Sequence, residues 1–75
     1  MSMSYEEHTA RVEHLISLIE YSKTGIAENL ARKLDVSRKT VFNDLEFLKG
    51  KGYGIIYSHT VGSYLFGKKS KLFFT

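Results

Sequence analysis

Between Tyr5 and Tyr21 the apolar residues Val12, Leu15, Ile16 and Ile19, with Ala10 and Leu18 alongside, recur at steps of three and four among polar and charged positions. That is the stripe of an amphipathic helix. It predicts a first helix over about residues 5–21, capped by Ser4, with Glu6 and Glu7 in the first turn where their charge suits the positive end of the helix dipole. The polar run Tyr21-Ser22-Lys23-Thr24-Gly25 interrupts the stripe. Ile26, Ala27, Leu30, Ala31 and Leu34 resume it and predict a short second helix over about 25–34, with Thr24 as its cap. Asp35-Val36 breaks the pattern again. Ser37 then precedes a third stripe, Val41, Leu45 and Leu48, which predicts a helix over about 38–49 stopped by Gly50, Gly52 and Gly54.

After the glycines the period falls from 3.6 to 2. Tyr53, Ile55 and Tyr57 alternate with Gly54, Ile56 and Ser58, and Tyr64 and Phe66 alternate with Ser63 and Leu65. This predicts a β-hairpin over about 53–66, its tip at His59-Thr60-Val61-Gly62, where Gly62 supplies the positive φ of a tight connection. The C-terminal segment 67–75 adds a short strand or trails off. The expected fold class is therefore mainly α with a small β-hairpin: three helices followed by a two- or three-stranded antiparallel sheet.

Length bounds what such a chain can do. Seventy-five residues allow a single domain over 1–75, and a fold of this size hides only about 60% of the surface its unfolded chain exposes, leaving little room for an enclosed catalytic cleft. The chain has no Cys, which removes disulfides, thiolate chemistry and Cys-type zinc sites and fits a reducing, cytoplasmic location. No window approaches the roughly 20 apolar residues of a membrane span, and MSMSYEEHTA lacks the features of a signal peptide. His8 and His14 lie six apart on different faces of the first helix, and His59 is in the hairpin, so no metal site is expected. Gly50, Gly52 and Gly54 follow a helix and open a strand, the reverse of a nucleotide loop. No catalytic residues, no cofactor and no enzymatic activity are expected.

The net charge of +3 is modest; its distribution is not. Residues 1–35 hold four bases and six acids, a balance of −2, whereas residues 36–75 hold seven bases and two acids, a balance of +5. One half is built to meet a polyanion.

Two short helices joined by a tight turn, the second capped by Ser and opening with basic residues, are laid out as a helix-turn-helix, and a following hairpin makes it a winged helix. The segment LARKLDVSRKTVFNDLEFLKGKGYGIIYSHTVGSYLF resembles the DeoR-like winged helix-turn-helix at the N-terminus of WYL-domain regulators, and it is similar to the DNA-binding domain of the biotin operon repressor. The resemblance spans about residues 12–66. It is carried by Leu34-Asp35-Val36-Ser37-Arg38-Lys39-Thr40-Val41, by Asp44-Leu45 with Leu48, and by Gly62-Ser63-Tyr64. It implies double-stranded DNA binding and transcription regulation. The chain departs from the family pattern where Asp35 replaces a usual Gly, where Asn43 replaces a frequent Arg, and in a wing tip, His59-Thr60-Val61, without arginines. The resemblance does not reach a ligand-sensing effector domain, so ligand sensing is not expected to carry over from it.

With Val41, Leu45 and Leu48 turned inward, the third helix presents Arg38, Lys39, Phe42, Asn43 and Glu46 outward. In a major groove Arg38 and Lys39 bond phosphates or guanine, Asn43 pairs with adenine, and Phe42 presses on a thymine methyl. Ser37 caps the helix and, with its free amides, receives a phosphate; Thr40 offers a hydroxyl one turn in. Lys23 and Thr24 hold the backbone from the other side, Lys49 and Lys51 flank the wing base, and His59 stands at the wing tip, with Lys68, Lys69 and Lys71 as a further basic cluster. Phe47 is expected to fill the angle between the third helix and the hairpin. A second reading is a protein-interaction or homodimerisation module. Ile56 and Leu65 should be apolar cross-strand neighbours on the outer wing face, covered by Leu72, Phe73 and Phe74 or by a second copy.

Overall fold

Each apolar stripe becomes the buried face of an element. A computed structural model describes residues 5–67, in the order α1 (Tyr5–Glu20), α2 (Ala27–Leu34), α3 (Arg38–Gly50), β1 (Ile55–Ser58) and β2 (Ser63–Phe66). Val12, Leu15 and Ile19 of α1, Leu30, Ala31 and Leu34 of α2, and Val41, Leu45 and Leu48 of α3 form one core. The hairpin closes it from the side with Tyr53, Ile55, Tyr64 and Phe66. This is the expected three-helix fold with a small antiparallel wing.

The three helices end alike. After α1, Ser22 N–H donates to the Ile19 carbonyl and Lys23 N–H to that of Leu18; after α2, Asp35 N–H donates to Arg32 and Val36 N–H to Ala31; after α3, Gly52 N–H donates to Lys49 and Tyr53 N–H to Leu48. Each is a Schellman closure, which requires a left-handed residue at its pivot. The pivots are Ser22 (φ 58°), Asp35 (φ 58°) and Gly52 (φ 104°). Asp35 thus adopts the conformation that its place in the turn demanded.

Helix starts divide. Ser37 caps α3 as expected, its side chain accepting from Thr40 N–H at 3.2 Å. The expected cap at Thr24 is corrected: α2 begins at Ala27 behind Ile26, with no side-chain cap bond. The reason lies across the molecule, where the Thr24 hydroxyl is bonded into the wing.

In the wing, Ile55 pairs with Phe66, Ile56 with Leu65, Tyr57 with Tyr64 and Ser58 with Ser63. Gly62 has φ +78° and its N–H donates to the Ser58 carbonyl, closing the tip. Gly67 N–H donates to the Gly54 carbonyl and extends the pairing by one step. A third strand from 68–75 falls outside the described residues, as do Phe73 and Phe74.

Candidate nucleic-acid interface

Two residues that are charged yet turned inward decide how α3 is held. Asp44 lies on the same face as Val41, Leu45 and Leu48 and is buried with them. A carboxylate there needs a cation and donors. Arg11 of α1 supplies both, with Nε donating to Oδ2 at 2.7 Å and Nη2 to Oδ1 at 3.0 Å. This forked pair is almost wholly out of solvent, where a bidentate guanidinium is the geometry that suits a carboxylate. Its signal in the sequence was a charge on each of two apolar stripes, and it was missed because neither residue stands in a surface cluster.

With its inner face so anchored, α3 turns Arg38, Lys39, Phe42, Asn43 and Glu46 to solvent. The Arg38 guanidinium lies 6.0 Å from the centroid of the Phe42 ring. Ser37 is exposed and Thr40 is half-buried, their hydroxyls 3.1 Å apart. Of the two acids on the helix, Asp44 is neutralised by Arg11, and Glu46 stands 3.5 Å from Lys49. The face left over is basic at its N-terminal end.

The remaining candidates divide by position. Lys51 is exposed, its ammonium 5.3 Å over the Phe47 ring. Lys23 is exposed, and its carbonyl accepts from the Lys33 ammonium. His59 is exposed at the tip and meets the Tyr57 ring edge-on at 5.0 Å. Thr24 is different: at 0% exposure it has no surface to offer a ligand. Phe47 also departs from expectation. It faces α1 rather than the wing, with its ring 5.3 Å from His8 and 42% of its surface exposed; with His8, Thr9, Val12 and Glu13 it lines a hollow of about 210 Å³. The place of Phe47 beside the α3 stripe does not show which neighbour it will meet.

On the wing, Tyr57 and Tyr64 meet edge-on at 5.0 Å. Burial pushes the Tyr64 phenol above its ordinary pKa, nearby Tyr57 adds to this, and the positive charge of Arg38 opposes it. The inner face of the wing therefore lies within electrostatic reach of the start of α3. A shallow hollow of about 250 Å³ beside it is lined by Ile26, Ala27, Glu28 and Arg38.

A family model described as an HTH domain matches residues 11–62. The chain belongs to the HTH domain family. The match begins at Arg11 and ends at the tip glycine, so this HTH domain includes both members of the α1–α3 ion pair, all of α3 and the first strand of the wing. Membership of the family points to DNA binding, a typically non-enzymatic role. No curated protein and no solved structure matches the chain. Among the described residues no group of three or more His, Cys, Asp or Glu is placed to hold a metal ion, and no helix is long and apolar enough to cross a membrane.

Proposed function

We propose that the chain binds double-stranded DNA sequence-specifically, as a cytoplasmic transcriptional regulator or its DNA-binding domain of the DeoR-like winged type, with α3 in the major groove. The observation that carries this reading is the composition of the exposed face of α3. Arg38, Lys39, Phe42 and Asn43 are exposed while the acids of the same helix are matched by Arg11 and Lys49. A helix enters the groove with its first turns, and these are its first turns. Asn43 reads adenine through its amide, Phe42 packs on a thymine methyl, and Arg38 and Lys39 bond guanine or phosphate. Ser37, Thr40, Lys23, Lys49, Lys51 and His59 orient the domain on the backbone. Thr24 has no part in that surface.

A gel-shift titration across salt tests this reading. With about six phosphates neutralised, affinity should fall about a thousandfold between 50 and 200 mM salt. Arg38→Ala and Lys39→Ala should each weaken binding, and a residue that serves only a phosphate should reduce the salt slope by about one without changing sequence preference. Asn43→Ala should relax sequence preference more than it lowers nonspecific affinity. Absence of binding to any duplex at low salt would refute the proposal.

One observation favours a second reading, dimerisation through the wing. Ile56 stands opposite Leu65 on the sheet and is 57% exposed, an apolar residue at the centre of a β-strand. If this face joins two copies, Ile56→Lys should shift the protein to monomer in sedimentation equilibrium. An unchanged molecular mass across a hundredfold range of concentration would leave the wing face with no such role.

A further inference from the structure

Thr24 and Ser63 are 39 positions apart in the chain, and neither exposes any surface. Thr24 N–H donates to Ser63 Oγ at 3.1 Å, Tyr64 N–H donates to Thr24 Oγ1 at 2.8 Å, and the two hydroxyl oxygens are 3.0 Å apart. Each hydroxyl also has a carbonyl within reach of its proton, Gly25 O at 2.8 Å from Thr24 Oγ1 and Tyr64 O at 2.9 Å from Ser63 Oγ. Both are satisfied whichever of them donates to the other.

This arrangement does what an additional strand would do. A two-stranded hairpin is marginal in water on its own and needs a neighbour or a packed face. The base of the wing is held by apolar packing, with the Tyr53 and Phe66 rings 5.2 Å apart against the core. Ser63 pairs with Ser58 at the opposite end, next to the tip. There the α1–α2 connection comes alongside β2, and Thr24 ties the two together through its side chain and its own N–H. A hairpin gripped at one end can pivot; gripped at both, it cannot.

The geometry points to Thr24 and Ser63 as positioning residues: a buried hydroxyl clasp that fixes the angle of the wing to α3 and so sets where Tyr57 and His59 stand relative to Arg38. Neither residue touches DNA. The consequence for binding rests on the function proposed above; the consequence for wing orientation does not.

The experiment uses the complete chain with Thr24→Val, which keeps the β-branched shape and removes the hydroxyl, with Ser63→Ala as a second route should the first substitution prevent folding, and with Thr24→Ser as the conservative control. Without DNA, residual dipolar couplings of the backbone amides report wing orientation. The clasp requires that Thr24→Val leave the couplings of α1, α2 and α3 on one common alignment while those of β1 and β2 depart from it. It also requires the Tyr64 amide to exchange about tenfold faster or more, and Thr24→Ser to restore both. Wing couplings that still fit the parent orientation in Thr24→Val and in Ser63→Ala overturn the inference, whether or not the protein binds DNA.

On a duplex that the parent binds, His59→Ala should weaken the parent but add nothing in the Thr24→Val background, since a wing already displaced has no contact left to lose. Fully additive losses would overturn the functional half of the inference. A parent that binds no duplex would refute the proposed function and leave the orientation test standing.

Discussion

Asp35 holds φ 58° and ψ 48° at the end of α2, a left-handed conformation that a Cβ makes costly and that Gly adopts freely. Its carboxylate also sits where the carbonyl end of the helix dipole is negative. Both effects act in one direction, so Asp35→Gly should stabilise the fold by about 0.5–1 kcal/mol in urea denaturation, the gain being limited by the added freedom of Gly in the unfolded chain. No gain, or a loss, would mean that the side chain of Asp35 makes a contribution its geometry does not reveal. Asp44 represents the opposite case, a charge that the fold has absorbed. Removing its carboxylate by Asp44→Ala takes away the forked bond that ties the Arg11 guanidinium to α3 and should cost about 3 kcal/mol, against a total stability of roughly 4–11 kcal/mol for a chain of this length. Adding Arg11→Met to that variant should return most of the loss, which is checked by the same denaturation series. These two aspartates were unequally legible. The strain at Asp35 could be read from its place in a turn that usually holds Gly. The partner of Asp44 could not, because which of several bases approaches a buried carboxylate is decided only when the helices cross.

The elements themselves followed closely from periodicity. α1, α3 and both strands lie within a residue or two of where the apolar pattern put them, because each stripe had only one face to bury. The cap of α2 did not follow. Thr24 has the chemistry of a helix cap, and local sequence contains nothing to show that its hydroxyl is taken by Ser63, a residue that becomes its neighbour only after the wing has folded back. Phe47 was misplaced for a related reason: an aromatic beside an apolar stripe packs against whichever element the fold sets next to it, and here that is α1. The hairpin adds a prediction of its own. The Tyr64 phenol titrates above its ordinary value in the folded protein, chiefly because burial disfavours the phenolate. A raised folded value means that the native state holds its proton more tightly than the unfolded chain does. The stability this confers is complete below the ordinary tyrosine range near pH 10 and is lost as pH rises through the raised value. Tyr64→Phe should therefore flatten the alkaline decline of thermal stability above about pH 10 relative to the parent. An identical decline in both proteins would assign it to other groups.

At the scale of the whole molecule, the small net charge conceals an internal division. The acids concentrate in the half that supplies α1 and α2, and the bases in the half that supplies α3 and the wing. This much was legible from counting, since charge follows sequence. What counting could not reveal is that two of the charges, Arg11 and Asp44, cancel in the interior and are lost to any approaching ligand. The surface that remains is defined by what the fold has withdrawn as much as by what it displays. Thr24 and Asp44, which look from sequence like surface polar residues, are both inside.

The two buried polar links also set an order of events. Arg11–Asp44 joins residues 33 positions apart and Thr24–Ser63 joins residues 39 apart, so each closes a long loop before it returns any free energy. The bonds within each helix, by contrast, join near neighbours. From that separation the hairpin is expected to seat after the helices, with the clasp still open at the folding barrier. Stopped-flow kinetics of Thr24→Val should then show unfolding accelerated and refolding hardly altered, the mark of a contact made on the native side of the transition state. A refolding rate that fell in proportion to the lost stability would place the clasp in the nucleus instead. A bond made late is also expected to be the first to open. A domain fastened this way can release its wing many times for each complete unfolding, so a protease or a hydrogen-exchange pulse would find 55–66 long before it found the helices.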